Sequence, residues 1–155
     1  MGVAIPDPGD ALVTLPVTLN PGCNCTAANV AIDIGITHAR VGDLIMTLSE
    51  PDVEFVFLVS QPPSNATLVA GNKITFDDSV VGALDPLTLG DGNDPIPPGT
   101  YFAQGNNTGE VDPVFGLGLF NGTAAAGDWT FTVFDLVADN IGTVESVELT
   151  ITCAE

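Results

Sequence analysis

Carboxylates are the side chains of this sequence best suited to chemistry. The 155 residues include 20 acidic side chains and only two basic ones, and 14 of the acids are aspartates. Aspartate in loops is a common ligand for hard cations such as Ca²⁺. Five aspartates stand at the ends of predicted strands or in the loops beside them, and we predict these as calcium ligands: Asp43, Asp77, Asp78, Asp135 and Asp139. The alternative for each is a turn or capping role, in which the carboxylate accepts backbone N–H groups.

Hydrolytic catalysis finds little support in the residue types. A Ser-His-Asp site needs a histidine base, and His38 is the only histidine. No G-x-S-x-G elbow is present to supply a nucleophile for such a base. We therefore expect a structural role for His38, in which its ring nitrogens hydrogen-bond a nearby loop. Asp77 and Asp78 are adjacent and would point to opposite faces of a strand, which is poor geometry for the acid–base pair of a glycoside hydrolase. We therefore predict a chain without enzymatic activity, with no catalytic residue and no organic cofactor.

Three cysteines leave the disulfide pairing open. A bridge between Cys23 and Cys25 would be strained because one residue separates them. A bridge from either of them to Cys153 would close a long ring and would suit an oxidising compartment. A zinc site is set aside because the Cys-x-Cys pair lacks a second pair of ligands.

Charge and composition restrict the partners. The formal net charge is −18, with Arg40 and Lys73 as the two basic residues. Nucleic acids and anionic membranes are excluded as partners, because both are bound through clustered Lys and Arg. No apolar run approaches the roughly 20 residues of a membrane span. For most of the acidic residues we expect a role in solubility.

Apolar alternation predicts the framework that carries these side chains. Period-two patterns predict short strands, and 17 Gly and 12 Pro punctuate them, so we expect one all-β domain over residues 3–155. Pro16 would place its strand at a sheet edge or a bulge. Residues 82–99 are expected to form an extended surface loop, and residues 114–120 fit a strand or a packed loop. The predicted strands span residues 11–19, 30–36, 44–48, 53–59, 73–76, 100–103, 129–134 and 144–151.

The last two predicted strands are the clearest. In the second of them, Val147, Leu149 and Ile151 alternate with polar residues, and a polar turn at residues 139–142 separates it from the strand of Trp129. We expect the two strands to form an antiparallel pair within one sheet. Trp129, the only tryptophan, is expected in the interior.

Three ordered motifs resemble the P domain, also called the Homo B domain, of proprotein convertases and bacterial subtilisin-like serine proteases. NGTAAAGDWTFTVFDLVADNIGTVESVELTIT resembles the C-terminal signature of that family. Upstream, VAIDIGITHARVGDLIMTLSEP and KITFDDSV resemble its strand–histidine–GDL–strand element and its short strand with paired aspartates. The resemblance begins near Ile5 and ends near Cys153.

The resemblance implies a fold, a partner and a location. It implies an antiparallel β-sandwich of the jelly-roll, galactose-binding-like type, stabilised by structural Ca²⁺. It also implies that the chain is a non-catalytic fragment of a secreted, extracellular subtilisin-like serine endopeptidase. There the domain would pack on the cognate catalytic domain, stabilise or regulate it, or aid engagement of protein substrate during proteolysis. The alternatives are a free-standing extracellular module that binds protein or carbohydrate, and a structural piece of an extracellular array.

Overall fold

Two β-sheets pack face to face in the computed structural model, which describes residues 2–51 and 55–154. All-β architecture and sandwich packing are confirmed. Within these residues, four short 3₁₀ helices lie in the loops, at Val41–Asp43, Pro86–Thr88, Pro113–Phe115 and Leu117–Phe120. The nine strands of the described residues are β1 Val3–Ile5, β2 Gly9–Val17, β3 Ala27–His38, β4 Leu44–Ser49, β5 Phe55–Ser60, β6 Ile74–Phe76, β7 Gly99–Tyr101, β8 Gly127–Asp135 and β9 Gly142–Cys153.

The sheets differ in size and order. The larger sheet has the order β1-β9-β3-β6-β7, and the smaller has the order β2-β8-β4-β5. Neighbouring strands run antiparallel except β6 and β7, which are parallel. Each sheet turns one apolar face inward, and the two faces together make a single core.

Strand β3 shows how the alternation becomes a core. Val30, Ile32, Ile34 and Ile36 are all buried, as their spacing predicts. Strand β2 lies at the edge of the smaller sheet. Pro16 is tolerated there because no further strand pairs with the outer edge of β2 and needs a backbone N–H from it. Both predictions are confirmed. The strand predicted at residues 53–59 corresponds from Phe55 onward to β5, and residues 53 and 54 lie outside the described part of the chain.

The expected pairing of the last two strands is wrong. Strand β8 pairs with β2 and β4 in the smaller sheet, whereas β9 pairs with β1 and β3 in the larger one. The connection at residues 136–141 therefore crosses from one layer to the other. Each strand turns its apolar face to the core from its own sheet: Trp129, Phe131 and Val133 of β8 are buried, and Val147, Leu149 and Ile151 of β9 are partly buried against the core.

Trp129 lies in the interior, as expected. Its side chain is fully buried, and its indole Nε1–H donates to the Ala125 carbonyl at 2.8 Å. The ring packs edge-on against Phe120, with 5.1 Å between ring centroids. Phe120 belongs to the stretch 114–120, which forms 3₁₀ turns and no strand; Leu117 and Phe120 are buried, whereas Val114 and Phe115 are exposed.

The loop at residues 82–99 is less exposed than expected. Leu89 and Ile96 are completely buried within it, and Pro86 is buried at the start of a 3₁₀ helix. The high content of Gly, Pro and Asp in this segment predicts an exposed loop, and isolated Leu89 and Ile96 form no apolar pattern that would indicate burial. The loop therefore contributes to the core as well as to the surface.

A disulfide joins Cys25 to Cys153, one of the two long-range pairings left open by the sequence. Cys25 is buried, and Cys23 is exposed with a free thiol. The bridge ties the loop before β3 to the end of β9, which is the neighbour of β3 in the sheet. In the described part of the chain, no helix has the length and hydrophobicity needed to cross a bilayer.

Candidate functional site

A buried histidine–aspartate pair connects the two sheets. His38 ends β3 in the larger sheet, Asp135 ends β8 in the smaller one, and both side chains are completely buried. Nε2 of His38 lies 3.0 Å from Oδ2 of Asp135. Nδ1 lies 3.1 Å from the backbone N of Arg40 and 2.9 Å from its carbonyl O. The ring therefore has partners at both nitrogens in either the neutral or the protonated form.

Asp43 holds the connection between β8 and β9 through hydrogen bonds to two of its residues. Its carboxylate is 2% exposed, with Oδ1 3.4 Å from the Arg40 Nε and Oδ2 accepting a hydrogen bond from the Asn140 side-chain amide at 2.8 Å. Its backbone carbonyl accepts the Leu136 N–H at 3.0 Å. The side chain and the backbone of one residue thus hold the connection that carries the chain between the sheets.

Asp139 lies in the same connection but is exposed. Its backbone φ is +87°, and its N–H donates to Oδ2 of Asp7 at 3.1 Å. The structure therefore gathers three of the five predicted ligands, Asp43, Asp135 and Asp139, at one end of the sandwich. Nevertheless, no group of three or more His, Cys, Asp or Glu side chains in the described residues is arranged to hold a metal ion.

Asp77 and Asp78 lie elsewhere, directly after β6, and bond to loops. Oδ1 of Asp78 accepts the Ala103 N–H, and Oδ2 accepts the Leu117 N–H, both at 2.8 Å. Oδ1 of Asp77 accepts hydrogen bonds from Asn29 and from the amide and hydroxyl of Ser79. These contacts correspond to the turn and capping role that the sequence offered as the alternative to metal ligation.

Asp77 is held in its charged form by these contacts. Burial raises the pKa of the Asp77 carboxyl, but hydrogen bonds from the Ser79 hydroxyl, the Ser79 amide and the Asn29 side chain together outweigh it. The pKa of Asp77 therefore lies below its ordinary value. The carboxylate that anchors this turn therefore stays ionised to a lower pH than an unperturbed aspartate does.

An open apolar groove covers the outer face of the smaller sheet. It has a volume of about 610 Å³ and crosses β4, β5 and β8. Apolar side chains supply most of its lining, and four hydroxyls complete it. The lining residues are Ile45, Thr47, Ser49, Phe55, Phe57, Thr130, Thr132, Phe134 and Leu136.

Sequence reasoning did not identify this groove, although a signal was present. The run Phe55-Val56-Phe57-Leu58 is apolar at both alternating positions, a pattern that by itself favours burial of both strand faces. Val56 and Leu58 are indeed buried, but Phe55 is 53% exposed and Phe57 is half-buried. An apolar run at an edge strand, where one face meets solvent, is the signal that could have located the groove.

Comparison with known proteins yields a structural likeness without sequence support. No protein-family model matches the chain, and no curated protein sequence does. A crystal structure of the Aeromonas sobria serine protease in complex with a chaperone is similar over 99% of this chain, with a TM-score of 0.50 and 15% identity. A crystal structure of the same protease alone aligns over 95% of this chain, with a TM-score of 0.49 and 15% identity. The chain spans about a quarter of the length of those solved chains. At 15% sequence identity, this structural similarity supports a shared fold and nothing further.

Proposed function

We propose that this chain is a non-catalytic P-type accessory domain that packs on a secreted serine endopeptidase domain and stabilises or regulates it. The observation that carries the proposal is the match of nearly the whole chain to about a quarter of the Aeromonas sobria serine protease chain. A domain that matches one portion of a protease chain is suited to an accessory role there. The three P-domain motifs of the sequence point to the same role independently of the structural likeness.

The environment of His38 supports the non-catalytic part of the proposal. A general base must reach the proton that it removes from substrate or nucleophile. The His38 ring is completely buried, and both nitrogens are engaged by Asp135 and Arg40. Its geometry suits a connection between sheets better than proton transfer to an external group.

The adjoining coding sequence and the protease itself test the proposal. We expect a subtilisin-like catalytic domain to be encoded next to this chain. Producing that protease with and without residues 3–155 should show a shorter half-life at elevated temperature when the domain is missing. A neighbouring sequence without a protease domain, or two forms with equal half-lives and equal kcat/KM, would contradict the proposal.

A free-standing extracellular binding module is the second candidate, favoured by the open groove on the smaller sheet. Such a module would bind protein or carbohydrate in the absence of any protease domain. Saturable binding of the isolated chain to a glycan, together with no protease in the gene, would support it over the accessory role.

Calcium binding is part of the proposal. In the described arrangement the carboxylates of Asp43 and Asp135 are already engaged by protein groups, so the donor set does not fit Ca²⁺ without rearrangement. Asp139 is exposed at the same end of the sandwich. A calcium site that includes Asp139 would therefore require a rearrangement of the connection at residues 136–141, and this can be tested. We expect millimolar Ca²⁺ to raise the melting temperature relative to EDTA through binding to the folded state. Superimposable melting curves would contradict calcium stabilisation, and equal shifts in wild type and Asp139→Ala would place the site elsewhere.

A further inference from the structure

The outer faces of the two sheets have opposite character. On the larger sheet the outward residues are polar and acidic: Asp33 lies opposite Glu148 across β3 and β9, and the Thr75 hydroxyl donates to Asp33. On the smaller sheet, the outward residues of β4, β5 and β8 that line the groove are aromatic, aliphatic or hydroxyl-bearing, and Asp128 at the start of β8 lies outside the groove lining. An antiparallel sheet with one face in water normally alternates apolar inward and polar outward. The smaller sheet departs from that pattern and the larger one follows it.

The apolar character of this face is concentrated in a few large side chains. Phe55 and Phe57 pack edge-on with ring centroids 5.3 Å apart, and Ile45, Phe134 and Leu136 continue the surface toward β8. Phe55 and Leu136 are each about half exposed, at 53% and 49%. Exposed apolar patches of this kind mark interaction sites, and aromatic side chains are the usual anchors.

The charges around the face restrict what can cover it. None of the described residues of β2, β4, β5 and β8 is basic. Asp10 and Asp128 are exposed, and strand alternation puts both on the outer face, Asp10 beside Phe134 and Asp128 at the opposite end of β8. A second copy of the chain would bring another −18 charge against this surface. A partner with basic side chains around an apolar ridge would gain attraction at both ends.

We propose that the outer face of the smaller sheet is a docking surface for a protein that presents an apolar ridge edged by Lys or Arg. This inference deepens the proposed accessory function and rests on it, since it names the surface and the chemistry of the partner. The Phe55, Phe57 and Phe134 rings form the centre of the contact, and Asp10 and Asp128 set its charge preference.

Two amphipathic peptides provide a defined probe. They share one face of Leu and Phe and differ only in carrying Lys or Glu along its edges. We expect the full chain to bind the Lys-edged peptide at least about tenfold more tightly than the Glu-edged one, with the difference shrinking as salt is added. Failure to bind the Lys-edged peptide, or equal binding of both peptides, would overturn the proposal.

Substitutions test whether the peptide binds at the outer face of the smaller sheet. Phe55→Ser should weaken binding of the Lys-edged peptide about tenfold or more. The matched control is Val81→Ser, because Val81 is fully exposed on a loop outside the face. The double variant Asp10→Asn with Asp128→Asn should reduce the preference for Lys edges. Folding is checked by the fluorescence of buried Trp129. Equal losses in Phe55→Ser and Val81→Ser would overturn the assignment.

Other occupants give distinct results. A concentration-dependent dimer abolished by Phe55→Ser would identify a second copy as the occupant, and glycan binding lost in that variant would identify a carbohydrate; either overturns the proposal. If the adjoining protease domain binds the wild type and Phe55→Ser equally, the docking surface fails and the accessory function stands. If the Lys-edged peptide binds at the face but the protease domain does not bind, the accessory function fails instead.

Discussion

At the residue scale, a substitution of His38 tests how much the His38–Asp135 contact between the two sheets contributes to stability. His38→Ala would leave the buried Asp135 carboxylate with Oδ2 unpaired and would remove the acceptor of the Arg40 N–H. Leaving a buried carboxylate without a hydrogen-bond partner costs at least about 1–3 kcal/mol, and we expect a loss of that size in the free energy of unfolding. Urea denaturation followed by Trp129 fluorescence measures it.

The control for this substitution is Arg40→Ala. The Arg40 side chain is 47% exposed and lies 3.4 Å from Asp43, so its loss should cost less than about 1 kcal/mol. Equal losses for the two variants would mean that the buried His38–Asp135 contact contributes no more than the contact between half-exposed Arg40 and Asp43.

Asp77 gives a pH dependence at the same scale. Its pKa is below the unfolded value of about 3.9. Its stabilisation is therefore present above that pH and is lost as the pH falls through the lower folded pKa. Asp77→Asn does not titrate, so the stability difference between wild type and variant should be largest near about pH 7 and should shrink below about pH 4. Urea midpoints across this range measure it, and a difference independent of pH would contradict the role of the charge.

The residue types of the histidine–aspartate end were foreseeable, but their partners were not. The sequence indicated that His38 would bond a loop and that Asp43, Asp135 and Asp139 belonged to strand ends. It gave no sign that Asp135 would reach His38 or that Asn140 would reach Asp43, since 97 residues separate each pair. Such contacts depend on which strands become neighbours, and periodicity does not encode that.

At the element scale, Gly105 tests how the edge of β5 is closed. Its φ is +87°, and a Cβ there would lie 2.1 Å from the Asp112 carbonyl O. Its N–H donates to the Phe57 carbonyl at 2.9 Å. Gly105→Ala would combine backbone strain with steric overlap, so we expect a loss of more than about 3 kcal/mol in chemical denaturation.

Gly122→Ala is the matched control, because Gly122 has a φ of +88° and nothing within 4 Å of the added Cβ. It should lose only about 1–2 kcal/mol, the cost of the left-handed backbone. Similar losses at both glycines would show that the Asp112 carbonyl moves aside at little cost.

Strand existence was predictable at this scale, and strand partnership was only partly so. The alternation in β3 and the Pro16 edge position followed from local chemistry. The separation of β8 from β9 did not, because a six-residue connection permits either a hairpin or a crossing between sheets. Partners far away in sequence decide the outcome: β2 and β4 occupy both edges of β8, and β1 and β3 occupy both edges of β9.

At the scale of the whole molecule, the Cys25–Cys153 disulfide encloses most of the chain, with a sequence separation of 128 residues. Cross-links of this kind stabilise mainly by restricting the unfolded chain. The double variant Cys25→Ser with Cys153→Ser should lose about 2–5 kcal/mol of unfolding free energy. Cys23→Ser should change it by less than about 0.5 kcal/mol, because Cys23 is exposed. If the double variant and Cys23→Ser were equally stable in urea, the cross-link would contribute nothing.

The same bridge has a consequence for the outcome of proteolytic cleavage. Exposed loop tips are where proteolytic nicking concentrates, and the loops between strands all lie inside the ring that the bridge closes, apart from the connections before Cys25. One cut at any bond from residue 26 to residue 152 would yield two fragments that remain covalently joined. Such a nicked form would keep its intact mass apart from one added water, and it would separate into two bands on a gel only after treatment with a reducing agent.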